Sequence, residues 1–173
     1  MTEHRDAEFT DFVADHGGHL LRTACLVSGD THLGEDLLQT ALAKAYGSWA
    51  RVQRADHPVA YVRRLMINAH LSWARRLMNT ERVVETFPDR ADGDLQAAHA
   101  ESDAMRAALL TLSPRVRAAV VLRIFEDLGG AETAQVMGCS RSTVNNHVTR
   151  GLAALRAVLT AADDLPQTTG STR

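Results

Sequence analysis

Apolar side chains recur every three or four residues along most of this 173-residue chain, and this spacing restricts the fold more than any other feature. A period near 3.6 places such side chains on one face of an α-helix, whereas a half-buried strand needs strict alternation. The helical spacing is clearest in residues 7–27, 30–49 and 58–78. No stretch alternates as a strand would, so the sequence predicts an all-α fold.

Local signals predict where several helices begin and end. Ser, Asp and Pro favour helix starts, and Gly favours the position after a helix. The predicted N-caps are Asp30 and Ser142, the predicted first helical positions are Pro58 and Pro114, and the predicted C-terminal cap is Gly138.

The helical pattern fails at residues 79–96, where Pro, Gly and acidic side chains are concentrated. This composition favours a flexible acidic linker, which would reach about 60 Å if it were fully extended at ~3.4 Å per residue. We therefore predict two small helical domains, residues 1–78 and 97–160, followed by a disordered tail at residues 161–173.

The net charge of −2 conceals a strong alternation along the chain. Residues 51–80 carry 6 Arg against 1 Asp, and residues 106–157 carry 7 Arg against 3 acidic residues. Between them, residues 81–105 carry 2 Arg against 7 acidic residues. Two separate basic blocks suit a chain that contacts a polyanion at two places, although helical proteins also segregate charge by chance.

The segment 131–159 has the pattern of a helix-turn-helix: a short helix, a tight turn and a longer helix. In such motifs the N-terminal part of the second helix contacts base edges in the major groove. Donor and acceptor groups are dense there, at Arg141, Ser142, Thr143, Asn145, Asn146, Thr149 and Arg150. The alternative is an ordinary helical hairpin whose polar residues face water.

A second basic surface is predicted on the 58–78 helix and the loop before it, which we expect over Arg51–Asp56. Its members mix guanidinium and amide groups, as a surface that follows phosphates and holds an unstacked base requires. Trp49 and Trp73 have core spacing, but either could border that base site. A solvated helix face is the alternative interpretation.

Several classes of protein are excluded or disfavoured. Two cysteines, Cys25 and Cys139, cannot form a disulfide framework, and no apolar run has the ~18 residues of a membrane span. The polar, acidic start differs from a signal peptide, which predicts a cytoplasmic protein. The eight histidines form no Glu-x-x-His or His-Glu-x-x-His motif, so we expect no metal, no cofactor and no enzymatic activity.

Four motifs, taken in order, resemble the extracytoplasmic-function (ECF) sigma factors of the sigma-70 superfamily, with the flavour of an actinobacterial sigma-E-like subgroup. The stretch 34–42 resembles the family's "ED-L-x-Q" helix, and 60–68 resembles the helix that follows it. Leu112-Ser113-Pro114 resembles the opening of the C-terminal module, and the helix-turn-helix matches from Asp127 to Arg156.

The resemblance implies an RNA polymerase sigma factor that binds core polymerase and directs promoter recognition and opening. The first domain would dock on the coiled coil of the largest polymerase subunit through Asp36, Leu37, Gln39, Ala43 and Tyr46. The -10 element would be read and opened by Arg51, Arg54, Tyr61, Arg64, Asn68, Arg75 and Arg76. Asn68 and the loop at 51–57 would hold a flipped base. The second domain would lie near the beta-flap and read the -35 element with the seven residues of the helix-turn-helix given above.

The resemblance also implies a free monomer and the option of an anti-sigma partner, which no residue here identifies. The chain departs from many relatives just after Thr143-Val144, where Lys or Arg is common and this chain has Asn145, followed by Asn146. Amide side chains favour adenine. The rival interpretation is a conventional repressor or activator, which would be a dimer and would bind duplex DNA without polymerase.

Overall fold

The computed structural model describes residues 2–80 and 98–163, and every regular element in these two ranges is helical. The all-α expectation is therefore confirmed. In chain order the helices are α1 (Thr2–Ser28), α2 (Thr31–Gly47), α3 (Trp49–Gln53), α4 (Pro58–Thr80), α5 (Ala98–Leu110), α6 (Pro114–Val120), a π-helical turn (Val121–Phe125), α7 (Gly130–Met137) and α8 (Arg141–Asp163).

The capping signals mostly act as predicted. The Asp30 carboxylate accepts a hydrogen bond from the Leu33 N–H at 2.8 Å, which satisfies a free donor at the start of α2. Helix α4 begins at Pro58, and Gly138 ends α7 in the left-handed conformation with φ 63°. Ser113 occupies the N-cap of α6, but its side chain makes no capping hydrogen bond.

Three boundary predictions are wrong. The expected loop over Arg51–Asp56 begins later, because residues 49–53 form the short helix α3. The sequence also predicts a turn at Gly129-Gly130 before a helix that begins at Ala131, whereas α7 already begins at Gly130. The N-cap of α8 is not Ser142: the Ser140 hydroxyl accepts from the Thr143 N–H at 3.1 Å, and the helix already begins at Arg141.

Helices α1–α4 enclose one apolar core, which we call the N-terminal core. Trp49 lies at its centre with edge-to-face contacts to Phe9 and Phe12 at centroid distances of 5.1 and 5.3 Å. Gly34 allows α1 and α2 to cross closely, because a Cβ there would lie 2.9 Å from the Cα of Cys25. Trp49 of α3 thus packs against α1, and buried side chains of α2 and α4 complete the same core.

A second core, the C-terminal core, is built by α5–α8, and it also includes Val27, Ile67 and Leu71 from the first half of the chain. The two halves therefore share apolar packing. The predicted division at residues 79–96 remains a prediction, because residues 81–97 lie outside the described residues. Most of the predicted tail lies outside them too, although residues 161–163 continue α8.

Candidate nucleic-acid interfaces

Helix α4 presents one packed side and one polar side. Val62, Met66 and Ala69 are buried in the N-terminal core at helical spacing. The side that faces water carries most of the predicted -10 residues, and Arg64, Asn68, Arg75 and Arg76 are exposed. Because apolar packing fixes the other side, these polar groups are held at defined positions along the helix.

A pocket of about 250 Å³ opens beside this polar side. Helix α4 contributes Leu65, Asn68, Ala69, Ser72, Trp73 and Arg76, and Lys44 completes the lining from α2. The Arg76 guanidinium donates to the Ser72 hydroxyl at 3.3 Å. The pocket thus combines an amide, a hydroxyl and two cations with a half-buried indole.

Only one of the two tryptophans that could border the base site lies beside the pocket. Trp49 is buried in the N-terminal core, whereas Trp73 lines the pocket. Sequence reasoning missed Lys44, although it is the only lysine of the chain and faces away from the apolar stripe of α2.

The remaining predicted -10 residues lie outside the lining of this pocket. Arg51 is exposed on α3 and Arg54 is exposed just after it, while Tyr61 is half-buried in the first turn of α4. The His57 carbonyl accepts from the Tyr61 N–H at 3.1 Å, which fixes that first turn. Arg51 and Arg54 are therefore accessible to a partner that extends past the pocket.

The residues predicted to bind polymerase are divided between surface and core. Asp36, Gln39 and Ala43 are exposed on α2, and Tyr46 is half-buried. The Tyr46 hydroxyl donates to Asp6 at 2.5 Å, and the Arg5 guanidinium lies 4.5 Å from the centre of its ring. Leu37 is fully buried, so it supports α2 from within and presents no surface to a partner.

The segment Gly130–Asp163 has helix-turn-helix geometry. Helix α7 ends at the left-handed Gly138, and α8 begins three residues later and packs against both α6 and α7. Gly151 permits the close approach of α8 to α6, because a Cβ there would lie 2.4 Å from Val120. Val144 and Leu155 anchor the packed side of α8 in the C-terminal core.

The predicted -35 residues all lie outside that core. Thr143 is half-buried, and the other six, Arg141, Ser142, Asn145, Asn146, Thr149 and Arg150, are exposed. The beginning of α8 therefore offers amide, hydroxyl and guanidinium groups on one accessible surface, which matches the needs of base-edge contacts in a groove.

This surface is electropositive. The pKa of His147 is lowered, first by burial and then by the nearby cations Arg115 and Arg150. Burial is the larger cause of this lowered pKa, and the two arginines add to it because a nearby positive charge disfavours the protonated imidazole. The positive charge of these arginines attracts a phosphate backbone toward the start of α8.

Sequence reasoning did not find the role of Glu126. Its side chain lies at the end of the π-helical turn and contacts three residues of the first half, at sequence separations above 60 residues. A turn with i to i−5 hydrogen bonds leaves no clear signal in a sequence, because packing decides where it forms.

Among the described helices, none combines the length and the apolar character needed to cross a bilayer. The sigma-70 region 2 family matches residues 12–80, and the sigma-70, region 4 family matches residues 102–155. These ranges contain the α4 pocket and the helix-turn-helix, respectively.

Named relatives cover almost the whole chain. The RNA polymerase sigma-E factor of Streptomyces coelicolor is 37% identical over 156 residues, which are 90% of this chain and 88% of that protein. The sigma-E factor of Streptomyces antibioticus is 36% identical over 163 residues, which are 94% of this chain and 91% of that protein.

A solved structure supports the same fold. The sigma factor RpoE of Bartonella quintana, crystallised in complex with the anti-sigma factor NepR, aligns with a TM-score of 0.68 at 21% identity. The alignment covers 88% of this chain and 97% of that one. With two matched regions and relatives above one-third identity, the chain belongs to the sigma-70 family, in its extracytoplasmic-function group.

Proposed function

We propose that this sigma factor directs transcription initiation through two DNA contacts of different chemistry. The α4 pocket holds an unpaired base of the -10 element, and the start of α8 reads the -35 element as duplex. The observation that carries the proposal is the pocket itself, where Asn68, Ser72 and Trp73 meet the cations Lys44 and Arg76.

The pocket suits a single unstacked base. Its volume of about 250 Å³ lies below the ~300–1,000 Å³ typical of sites for drug-sized ligands. The Asn68 amide can donate to and accept from a base edge, and Trp73 offers an aromatic surface. Because a paired base cannot enter, these contacts favour the melted strand, and binding itself drives opening.

The arginines around the pocket have a second role in the proposal. Arg51, Arg54, Arg64 and Arg75 are exposed, and exposed guanidinium groups position a nucleic-acid backbone without reading sequence. Tyr61 is half-buried and lies between Arg54 and Asn68 along the chain, where it would support the entering strand.

The start of α8 suits a duplex because it is a convex, accessible surface. Asn145 and Asn146 would pair with adenine and Arg141 or Arg150 with guanine, each worth about 1–3 kcal/mol of discrimination. Ser142, Thr143 and Thr149 would contact phosphates or base edges beside them.

The polymerase contact is assigned to the surface of α2, with Asp36, Gln39, Ala43 and Tyr46 against the coiled coil of the largest subunit. Leu37 would hold α2 in place from inside the core. The second domain would lie near the beta-flap. In this account the polymerase makes all bonds, so the chain is no enzyme and needs no cofactor or metal. It acts in the cytoplasm as a monomer when free. Its proposed partners also include an anti-sigma factor.

Co-elution with core RNA polymerase on a sizing column, without DNA, tests the proposal. We expect a stoichiometric shift of the chain into the polymerase peak. Asp36→Arg should abolish the shift, whereas Asp15→Arg, which reverses an exposed carboxylate on α1, should not. A chain that stays free, or runs as a dimer that binds duplex DNA alone, would favour the conventional regulator.

A further inference from the structure

A buried carboxylate links the second half of the chain to the first, beside the apolar packing that the two halves share. The Glu126 side chain is only 4% exposed. Its carboxylate forms an ion pair with the Arg63 guanidinium at 2.9 Å, accepts a hydrogen bond from the Thr23 hydroxyl, and lies 2.9 Å from His19 Nε2. All three partners belong to α1 and α4, so the cluster joins elements that are distant in sequence.

The backbone around Glu126 is shaped to deliver this carboxylate. The π-helical turn Val121–Phe125 ends there, and the Glu126 N–H donates to the Val121 carbonyl at 3.0 Å. Asp127 follows with φ 50°, a left-handed conformation that non-glycine residues rarely adopt. Such π-helical turns are frequent at functional sites, where they redirect one side chain.

The same contact buries a side of α4 that is separate from the DNA pocket. Arg63, Ile67 and Leu71 lie at i, i+4 and i+8 on α4 and face the second half. Asn68 and Ser72, which line the pocket, lie on another side of the helix. The second half therefore packs on the back of the -10 helix and leaves its pocket open.

The contact between the two halves also buries a guanidinium group without a full set of hydrogen bonds, and this opposes the packing of the halves. Arg117 is 7% exposed, and its Nε and Nη1 have no hydrogen-bond partner within the described part of the chain. It lies close to His70 of α4, whose pKa falls to about 4, first because of burial and then because of Arg117. An unpaired buried cation opposes docking, so the Glu126 cluster has to offset it.

The packed arrangement is incompatible with the bound promoter. The -10 and -35 elements are about 25 base pairs apart, which is about 85 Å along a duplex at ~3.4 Å per base pair. In the structure α4 packs directly against α7, the first helix of the helix-turn-helix. The two DNA-reading units cannot lie on both elements at once while they remain in contact.

We propose that Glu126 is an intramolecular latch that holds the free chain in a closed, resting arrangement, with the helix-turn-helix half docked on the back of α4. The cluster of Glu126, Arg63 and Thr23 must break before both promoter elements are engaged. The functional role of the latch rests on the proposed function, in which the chain contacts DNA at two sites. The existence of the latch does not, because it is a property of the free chain.

Distances between two spin labels measure the latch directly. Labels are placed at Ala14→Cys on α1 and Ala153→Cys on α8, both exposed positions, in a chain with Cys25→Ala and Cys139→Ala. We expect one narrow distance distribution for the free chain. Glu126→Arg or Arg63→Glu alone should shift the main population to longer distances, and the charge-swapped double variant should restore the short one.

Two controls separate opening from unfolding. Glu132→Arg reverses an exposed carboxylate on α7 and should leave the distances unchanged, and circular dichroism reports whether each variant keeps its helices. A long or broad distribution in the unmodified free chain would overturn the latch. So would folded single variants that stay closed, or a double variant that stays open. Co-elution with polymerase is measured separately, so the failure of one proposal does not imply the failure of the other.

Discussion

Helices α4 and α8 both have 23 residues and both carry predicted DNA contacts, yet the two are supported differently. Helix α8 packs through apolar Val144 and Leu155 and through the close contact at Gly151. Helix α4 carries two polar residues, Arg63 and His70, on its buried surface. Helix α8 is therefore held by apolar packing within its own half, whereas α4 also forms a buried ion pair with the second half of the chain.

The exposed surfaces of the two helices also differ in shape. Helix α8 offers its polar groups on an open surface, whereas α4 shares a pocket with Lys44 of α2. An open surface suits the groove of an intact duplex, and a pocket suits a base that has left the stack. We therefore assign duplex reading to α8 and strand opening to α4.

The largest predicted effect that separates the two packed surfaces is a loss of stability in acid that originates at the buried His70 of α4. Because the pKa of His70 falls from 6.5 to about 4, the unfolded chain binds a proton below pH 6.5 that the folded chain binds only near pH 4. The free energy of unfolding should therefore decrease by about 3 kcal/mol as the pH falls through this window. Urea unfolding at pH 7 and pH 4 measures the change.

Two variants assign that change to α4. His70→Gln should remove most of this part of the pH dependence, whereas His32→Gln, at an exposed position on α2, should keep it. If the two variants show the same slope, the buried histidine is not the source, and the contrast between the packed surfaces loses its main support.

Loss of the pocket amide should have the next largest effect. Asn68→Ala removes the proposed hydrogen bonds of the amide to an unpaired base, at a cost of about 1–3 kcal/mol. Promoter opening, followed by permanganate reactivity of unpaired thymines, should weaken about tenfold or more while binding to core polymerase is retained. Asn79→Ala, exposed near the end of the same helix, is the control. Equal loss of opening and polymerase binding would contradict the assigned role.

The glycine contact of α8 offers a test of a different kind. Gly151→Ala places a Cβ 2.4 Å from Val120, so overpacking should lower the free energy of unfolding by about 1–3 kcal/mol despite the better helix propensity of Ala. Gly18→Ala lies in α1 with no atom within 4 Å of the new Cβ, and it should stabilise by about 0.5–1 kcal/mol. A neutral or stabilising Gly151→Ala would show that α8 is not held as described.

The start of α8 should show the smallest effect. Ser140→Ala removes the hydroxyl that accepts from the Thr143 N–H and should lower the free energy of unfolding by about 1 kcal/mol. Ser142→Ala should have a smaller effect, because it removes only an exposed hydroxyl contact with Ser140 at 2.9 Å and leaves the cap of the Thr143 N–H in place. Thermal unfolding of both variants measures the two losses of stability. A larger loss for Ser142→Ala than for Ser140→Ala would show that Ser142 is the N-cap, as the sequence predicts.

The features that could be predicted from sequence depend on neighbouring residues. Asp30, Pro58 and Gly138 act within a few residues of themselves, so their types alone indicate the helix ends. Ser140 and Ser142 are both plausible caps, and only the backbone geometry of the turn separates them.

The features that could not be predicted are long-range. The contact of Glu126 with Arg63, the position of Lys44 beside α4 and the shared core with Ile67 depend on how helices pack in three dimensions. The sequence indicates the proposed DNA contacts more clearly than the contacts between the two halves, because the latter pair residues that are far apart along the chain.

Selection of promoter DNA by the assembled holoenzyme tests the two-contact account most directly. Core polymerase with this chain is offered a random duplex library, and the DNA retained in stable open complexes is sequenced. The account predicts two preferred blocks in which Arg150→Ala weakens only the upstream one and Asn68→Ala only the downstream one. A single block, or one substitution that alters both, would contradict it.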